Sequence, residues 1–185
     1  ELVSKAVMHD GYYSTLLGMP GMPAASESIM IGRDIALAEM TGGKLHLMCV
    51  STADAVEQIR RAKARGIAVT ADVTPHHLVL TDESLQSFDS NFKVDPPLRT
   101  QEHIDALIEG LKDGTIDAIA TDHAPHVSET KEMPLDQAPP GMLGLETALG
   151  VALAHLDMPL VDVVAAMSWK PAAIAGIADR HGRPI

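Results

Sequence analysis

Apolar and polar positions along the chain alternate between a helical spacing and short continuous apolar runs. The helical spacing is clearest between Thr100 and Gly114, where apolar residues recur at i, i+3, i+4 and i+7 and therefore share one face of a helix. These residues are Ile104, Leu107, Ile108 and Leu111. The pattern predicts a helix that begins at Thr100 and ends at the glycine.

The same criteria predict four more helices and three strands. The helices are expected over 26–40, 52–66, 145–156 and 159–167, with a last turn near Ile174. Ser26 and either Ser51 or Thr52 are the expected N-caps of the first two. The strands are expected at the apolar runs 45–50, 67–74 and 116–121. This alternation is typical of βα units on a parallel sheet.

Three strands with their helices make an incomplete sheet. A (β/α)₈ barrel needs about 250 residues, so this chain of 185 would supply somewhat under half of one. The predicted fold class is α/β, with residues 1–185 forming part of a barrel domain and no second domain. Because Glu1 lies in a helix-like stretch and Ile185 follows no helix end, we expect a segment truncated at both ends.

Composition and charge narrow the possible partners and the compartment. Fourteen Lys and Arg against 25 Asp and Glu give a net charge of −11, which disfavours nucleic acid and anionic membranes. The lone Cys49 cannot form an internal disulfide, so a cytoplasmic location is expected. No apolar run approaches the roughly 20 residues of a membrane span, and no signal-peptide pattern is visible. The five aromatic residues form no stacking platform for bases.

Titratable side chains follow each predicted strand at its carboxyl end. Cys49 and Ser51 end the first strand, Pro75-His76-His77 end the second and Asp122-His123-Ala124-Pro125-His126 follow the third. In α/β barrels this edge carries the active site. A carboxylate with two imidazoles can ligate a metal, move a proton and bind an anion. The alternative is a solvated turn in which Asp122 caps a helix.

Two other histidine and cysteine positions leave alternatives open. Adjacent residues of an extended segment point to opposite sides, so at most one of His76 and His77 would face a site. By the same alternation His46 and Cys49 lie on opposite faces of their strand, which favours Cys49 for the site. A buried cysteine can also be a small apolar filler.

Five segments taken in order carry a family resemblance: His46 to Thr52, Val73 to Leu78, Lys93 to Arg99, Asp122 to His126, and Pro140 to Thr147. They resemble dihydroorotase, of the class related to the dihydroorotase domain of multifunctional pyrimidine enzymes, within the amidohydrolase superfamily. The related hydantoinases and allantoinases usually have Pro-His-Tyr in place of Pro75-His76-His77, and His-Ala-Pro-His seldom follows their final aspartate.

The resemblance implies strands 6 to 8 of a (β/α)₈ barrel and reversible, zinc-dependent hydrolysis of dihydroorotate to N-carbamoyl-aspartate in pyrimidine biosynthesis. By the family's motifs, Asp122 would be a zinc ligand and the general base. His126 would bind the substrate carboxylate, while Pro140 and Gly141 would contact the substrate ring. One or two zinc ions are expected, with most ligands upstream of Glu1, so this segment alone should be inactive. A homodimer or a complex with aspartate carbamoyltransferase are the assemblies that the resemblance suggests.

Two positions depart from the family pattern. Cys49 stands where the family has a zinc-binding histidine, and Asp95 stands in the substrate-binding loop where the family commonly has asparagine. Thiolate can ligate zinc but makes it a weaker Lewis acid, and a carboxylate at 95 would repel the substrate carboxylate unless it is protonated or paired. The alternatives are therefore a catalytically inactive partner of aspartate carbamoyltransferase or another cyclic amidohydrolase of the hydantoinase or allantoinase type.

Overall fold

A three-stranded parallel sheet lies at the centre of the fold. The computed structural model describes residues 6–181, so the features expected at Glu1 and Ile185 lie outside the described residues. Strand order is β3 (Leu45–Leu47), β4 (Val69–Val73) and β5 (Ala118–Ile119), with β4 in the middle. The register pairs Leu45 with Val69 and Asp72 with Ala118. The prediction of α/β architecture with parallel strands is confirmed, although each strand is shorter than its apolar run.

Helices connect the strands as the sequence pattern predicts. Helix α2 (Ala25–Thr41) precedes β3, α3 (Ala53–Ala64) lies between β3 and β4, and α4 (Gln101–Asp113) lies between β4 and β5. Helix α2 packs against α3, and α3 packs against α4 and β4. Each crossover therefore lies beside the strands that it joins, which keeps the sheet parallel.

The helix ends follow the expected chemistry at most positions. Gly42 and Gly114 end α2 and α4 in the left-handed conformation, with φ of 67° and 81°. Thr52 caps α3 by accepting the Ala55 N–H, as predicted. The prediction that Ser26 caps α2 is wrong, because Ser26 lies inside that helix and its hydroxyl donates to the Pro23 carbonyl at 2.6 Å.

The remaining elements flank this sheet. At the amino-terminal side, β1 (Met8–His9) and β2 (Gly21–Met22) pair in parallel around α1 (Tyr12–Leu17). After β4 come 3₁₀ turns at His76–Leu78, Asp82–Ser87 and Ser90–Phe92, and after β5 come α5 (Ser128–Lys131), α6 (Ala148–His155), α7 (Leu160–Met167) and α8 (Trp169–Ile174). Within residues 6–181 no helix has both the length and the apolar character needed to span a membrane.

The main core fills the space between the sheet and its helices. It is formed by apolar side chains from β4, from the inner faces of α3 and α4, and from α7, together with residues beside the strand ends. Its most buried members include Val56, Ile59, Val73, Leu107, Ile116 and Val163. A second cluster around Met8, Leu85 and Leu135 joins β1 to the loops after β4 and β5. The loops that follow the strands are therefore anchored on apolar contacts of their own.

Candidate active site

The carboxyl ends of the three central strands bring a thiol and several carboxylates together. Cys49, Asp72 and Asp122 lie at the ends of β3, β4 and β5, and Asp95 comes from the loop that precedes α4. Burial, followed by the negative charges of Asp72, Asp122, Glu27 and Asp95, raises the pKa of the Cys49 thiol to about 12. The predicted residues Cys49, Asp95 and Asp122 are therefore close enough to interact electrostatically. Asp72 and Glu27, which were not predicted from the sequence, lie beside them.

Asp72 holds the turn that carries Cys49. One carboxylate oxygen accepts the Cys49 N–H at 2.7 Å, and the other accepts the His46 Nε2–H at 2.9 Å. Strand β3 ends at Leu47, and Cys49 has a left-handed φ of 53°. The strict alternation of strand faces therefore does not extend to Cys49. Both His46 and Cys49 contact Asp72, one through its ring and the other through its backbone.

Asp122 is placed by its backbone at the end of β5. Its φ is 46°, a left-handed conformation that is uncommon outside glycine. The interpretation of Asp122 as a helix cap is wrong, since the next helix begins at Ser128 and has Val127 at its N-cap. Burial, with the charges of Asp72 and Asp95, raises the pKa of the Asp122 carboxyl. A raised pKa favours proton uptake by this carboxylate, which is what a general base requires.

The two adjacent histidines after β4 have different environments. The premise of an extended segment is wrong, because both lie in a 3₁₀ turn with ring centroids 4.7 Å apart. His77 is fully bonded: its Nδ1 accepts the Thr74 hydroxyl at 2.6 Å and its Nε2–H donates to the Pro96 carbonyl at 3.0 Å. His76 directs Nε2 toward Asp122, whose Oδ2 lies 3.8 Å away. Burial lowers the pKa of His76 to about 4, so its ring is neutral.

A buried ionic cluster lies behind Cys49. The Arg99 side chain is 1% exposed, and it donates to the Ser51 hydroxyl, the Met22 carbonyl and His9 Nδ1. Glu27 accepts the backbone N–H groups of Ser51 and Thr52, both at 3.0 Å, and both of their hydroxyls. This cluster ties the start of α2 to the start of α3. It also borders a cavity of about 320 Å³ that Cys49 and Asp95 line.

The predicted substrate-binding residues after β5 form a second group. His126 donates its Nε2–H to the Pro140 carbonyl at 2.9 Å, so the two are in direct contact. Gly141 has a φ of 145°, and a β-carbon there would lie 2.7 Å from the Ala124 carbonyl oxygen, so a larger residue does not fit. Its N–H donates to the Lys93 carbonyl at 2.8 Å. The Gly141 N–H is therefore already bonded within the chain.

Lys131 ties this second group to the preceding loop. Its ammonium donates to the backbone carbonyls of Ser90, Pro139 and Gly141 at 2.7 to 3.1 Å. Together with His126 and Gly141 it lines a cavity of about 740 Å³. Asp95 and Pro140 line a smaller cavity of about 220 Å³, which links the two groups. Among the described residues no hydrogen bond or ion pair joins His126 to Cys49 or Asp122.

Several of these residues carry no local signal in the sequence. Asp72 lies in an apolar strand, where a carboxylate indicates only a polar position. Glu27 lies in the first turn of a helix, where acidic residues are common. Their partners lie 23 to 26 residues away along the chain. Sequence reasoning could have singled out Asp72 only as an acid inside an apolar strand.

The chemistry of the donors at the strand ends fits part of a zinc site. Within residues 6–181 no group of three or more His, Cys, Asp or Glu side chains is arranged to hold a metal ion. Cys49 and Asp122 nevertheless offer a sulfur and an oxygen of the types that zinc accepts, and a catalytic zinc has three protein ligands. The negative side chains raise each other's proton affinity, so a divalent cation would relieve their repulsion. This pair therefore fits zinc as a partial ligand set.

Comparisons with known proteins agree on one family. A sequence model of the amidohydrolase family matches residues 10–183. The chain is 52% identical over 182 residues to a dihydroorotase of Caldanaerobacter subterraneus, covering 96% of this chain and 42% of that protein. It is 50% identical over 189 residues to a dihydroorotase of Streptomyces coelicolor, covering 100% of this chain and 44% of that protein. The chain thus spans about two fifths of the length of these curated relatives.

Solved structures that superpose on this chain include proteins named dihydropyrimidinase and hydantoinase. The crystal structure of dihydropyrimidinase from Brevibacillus agri superposes with a TM-score of 0.81 at 27% identity, covering 87% of this chain and 37% of that one. The L-hydantoinase of Arthrobacter aurescens superposes with a TM-score of 0.81 at 32% identity, with the same coverage. The resemblance to dihydroorotase inferred from the motifs is confirmed by the curated relatives.

Proposed function

Because the chain belongs to the amidohydrolase family, we propose that the protein that carries it hydrolyses the cyclic amide of dihydroorotate, reversibly, to N-carbamoyl-aspartate. In this proposal the described chain supplies strands 6 to 8 of a (β/α)₈ barrel and the protein acts in cytoplasmic pyrimidine biosynthesis. The dihydroorotase relatives at about half identity support the substrate class. The observation that carries the mechanism is Asp122, a carboxylate with a raised pKa at the end of β5.

Asp122 is the proposed general base and one zinc ligand, with Cys49 as a second. Zinc held by these residues would supply Lewis acidity and lower the pKa of a water to about 7. Further ligands would have to complete the site, since catalytic zinc has about three from the protein. Asp122 would accept a proton at its carboxylate and donate it to the leaving amide nitrogen, a role that general bases of this type fill with about 10²- to 10⁴-fold effect.

The loop residues would bind and orient the substrate. His126 is the proposed partner of the substrate carboxylate. Because its Nε2–H is bonded to Pro140, it would present Nδ1 to the ligand, and a protonated ring would donate there. Pro140 and Gly141 would contact the ring of the substrate, and the absence of a side chain at Gly141 leaves its backbone close to His126. Asp95 is the remaining proposed substrate contact.

The test is a ring-opening assay on the full-length protein loaded with zinc, followed by ultraviolet absorbance of dihydroorotate. We expect the wild type to be active and Asp122→Asn to lose activity by at least about 10²-fold, while zinc content falls only partly because Cys49 remains. Unchanged turnover in Asp122→Asn would remove this residue from the mechanism. Hydantoin and dihydrouracil are included as substrates, because the structural relatives are named hydantoinase and dihydropyrimidinase. A preference for either would reassign the substrate.

A second candidate function is a catalytically inactive partner of aspartate carbamoyltransferase. Two observations favour it: the Cys49 thiol has a pKa of about 12, so it resists the deprotonation that metal binding needs, and Asp95 adds a negative charge beside it. Absence of turnover by the zinc-loaded wild type, together with a stoichiometric complex with the carbamoyltransferase in sedimentation, would decide for this candidate.

A further inference from the structure

His76 is a buried histidine for which the proposed mechanism has no use. It lies one residue after Pro75 in the 3₁₀ turn that follows β4, and its side chain is 4% exposed. Its Nε2 atom is buried and has no hydrogen-bond partner among residues 6–181. A buried imidazole nitrogen without a partner is uncommon in native structures, where polar groups of this kind are bonded to protein or water. The burial of this nitrogen without a partner therefore indicates a functional or structural role for His76.

A charged group, the carboxylate of Asp122, lies close to this nitrogen. The Oδ2 atom of Asp122 lies 3.8 Å from His76 Nε2, and within the described residues no hydrogen bond to the Asp122 carboxylate is seen. A movement of less than 1 Å by either side chain would bring the pair to hydrogen-bond distance, about 2.9 Å for N–H and O. Such contacts are often long in ligand-free sites and shorten when the ligand is in place.

The ring of His76 is also held in this direction by its neighbour. His77 stacks against it with a tilt of 46° and is itself fixed at both nitrogens, to Thr74 and to Pro96. The His76 ring therefore packs on a rigid surface and cannot turn freely toward solvent. The two adjacent histidines therefore have different contacts. His77 bonds the loop that carries Asp95, and the Nε2 atom of His76 faces Asp122.

We propose that His76 is a positioning residue for Asp122, whose Nε2–H donates to Oδ2 and holds the carboxylate in the orientation that the reaction needs. Asp122 projects from a left-handed backbone position and is surrounded by Asp72 and Asp95, which repel it. A neutral donor on the remaining side stabilises one rotamer without cancelling the charge of the carboxylate. The catalytic part of this inference rests on the proposed function, whereas the hydrogen bond itself does not.

The kinetic test compares His76→Gln with His76→Met in the zinc-loaded full-length protein. Glutamine keeps an N–H donor, and methionine keeps volume and apolar packing but donates nothing. We expect His76→Met to lower kcat by about 10- to 100-fold with KM within about twofold, and His76→Gln to recover most of the loss. Equal kcat in the two variants, or a loss expressed in KM, would overturn the proposal.

A spectroscopic measurement separates this inference from the proposed function. In protein labelled with ¹⁵N-histidine, we expect a slowly exchanging imidazole N–H signal that disappears in His76→Gln and shifts in Asp122→Asn, with or without zinc. If the wild type fails to open dihydroorotate but shows this signal, the proposed function fails and the hydrogen bond stands. If the wild type is active and the His76 signal does not respond to Asp122→Asn, the positioning role fails alone. Should His76→Met not fold, the comparison of His76→Gln with Asp122→Asn in this spectrum still decides.

Discussion

Removal of the Glu27 carboxylate tests whether the buried ionic cluster holds the loop that carries Cys49. The substitution Glu27→Ala leaves the backbone N–H groups of Ser51 and Thr52 without an acceptor, and both residues are fully buried. It also removes the carboxylate that lies 4.0 Å from Arg99 Nη2, a nitrogen that has no hydrogen-bond partner among the described residues. The variant therefore leaves four donors, two N–H groups and two hydroxyls, without their acceptor, and it leaves Arg99 without this carboxylate.

The expected cost follows from these contacts. Each buried donor left unpaired costs about 1 to 3 kcal/mol, and loss of one partner from a buried ion pair costs about 3 to 5 kcal/mol. The contacts share one carboxylate and do not add, so we expect Glu27→Ala to lower the free energy of unfolding by about 5 kcal/mol. Glu27→Gln keeps an acceptor oxygen and loses the charge, and its cost should be about half as large.

The assay is equilibrium unfolding in urea, read from the midpoint at constant slope. Asp34→Asn is the matched control, because Asp34 lies on the same helix and pairs with the exposed Arg33 at 2.7 Å. A surface pair of this kind should contribute less than about 1 kcal/mol. A loss below about 1 kcal/mol for Glu27→Ala, or equal losses for Glu27→Ala and Glu27→Gln, would refute the reasoning about the cluster.

Three further predictions concern the metal, the loops and the pH range. Cys49→His should hold or raise zinc occupancy, because an imidazole binds without deprotonation of a thiol whose pKa is about 12; a marked drop on metal analysis would contradict Cys49 as a ligand position. Lys131→Met should raise KM more than it lowers kcat, because three loop carbonyls lose their shared donor. The control Lys131→Arg should change KM less. An unchanged KM in Lys131→Met would contradict a positioning role for the loop. Burial lowers the pKa of His9 and His76 to about 4 and that of His77 to about 3, so all three rings stay neutral when folded and, below about pH 6.5, bind a proton on unfolding. Their stabilisation is complete above about pH 6.5 and is lost as the pH falls toward 4 and 3, so the unfolding free energy should decrease by up to about 4.1 kcal/mol per pH unit in that window. A flat profile there would contradict this prediction.

The regular elements with strong periodicity were predictable from the sequence. The helix expected between Thr100 and Gly114 is found as Gln101–Asp113, because its apolar face is unbroken and its terminal glycine fits a left-handed end. The first strand was predicted too long, since the chain leaves the sheet after Leu47 and the Cys49 N–H bonds a side chain instead of a strand. The two-residue strands β1 and β2 were not predicted, because two residues are too few to show a period of two.

The positions of Asp122 and Cys49 at the strand ends were predictable from the sequence, whereas the residues that contact them were not. Asp122 and Cys49 stand out because they follow apolar runs, and that position in a parallel sheet has a known meaning. Asp72 and Glu27 act through partners more than 20 residues distant, so only the folded chain shows that they surround the thiol. The role of each adjacent histidine also required coordinates, because the local 3₁₀ turn, and not strand alternation, decides where His76 and His77 point.

The two departures from the family pattern are connected by charge. Cys49 and Asp95 both add a negative group, once ionised, to a site that already holds Asp72 and Asp122, and each carboxylate raises the proton affinity of the thiol. With a cation in place, the same groups would, once ionised, donate more electron density to it, which weakens its Lewis acidity. At Cys49 the proton on the thiol also competes with the metal, so the extra charge there is expected to slow ring opening without a gain in zinc occupancy. An enzyme with this site is therefore expected to turn over slowly.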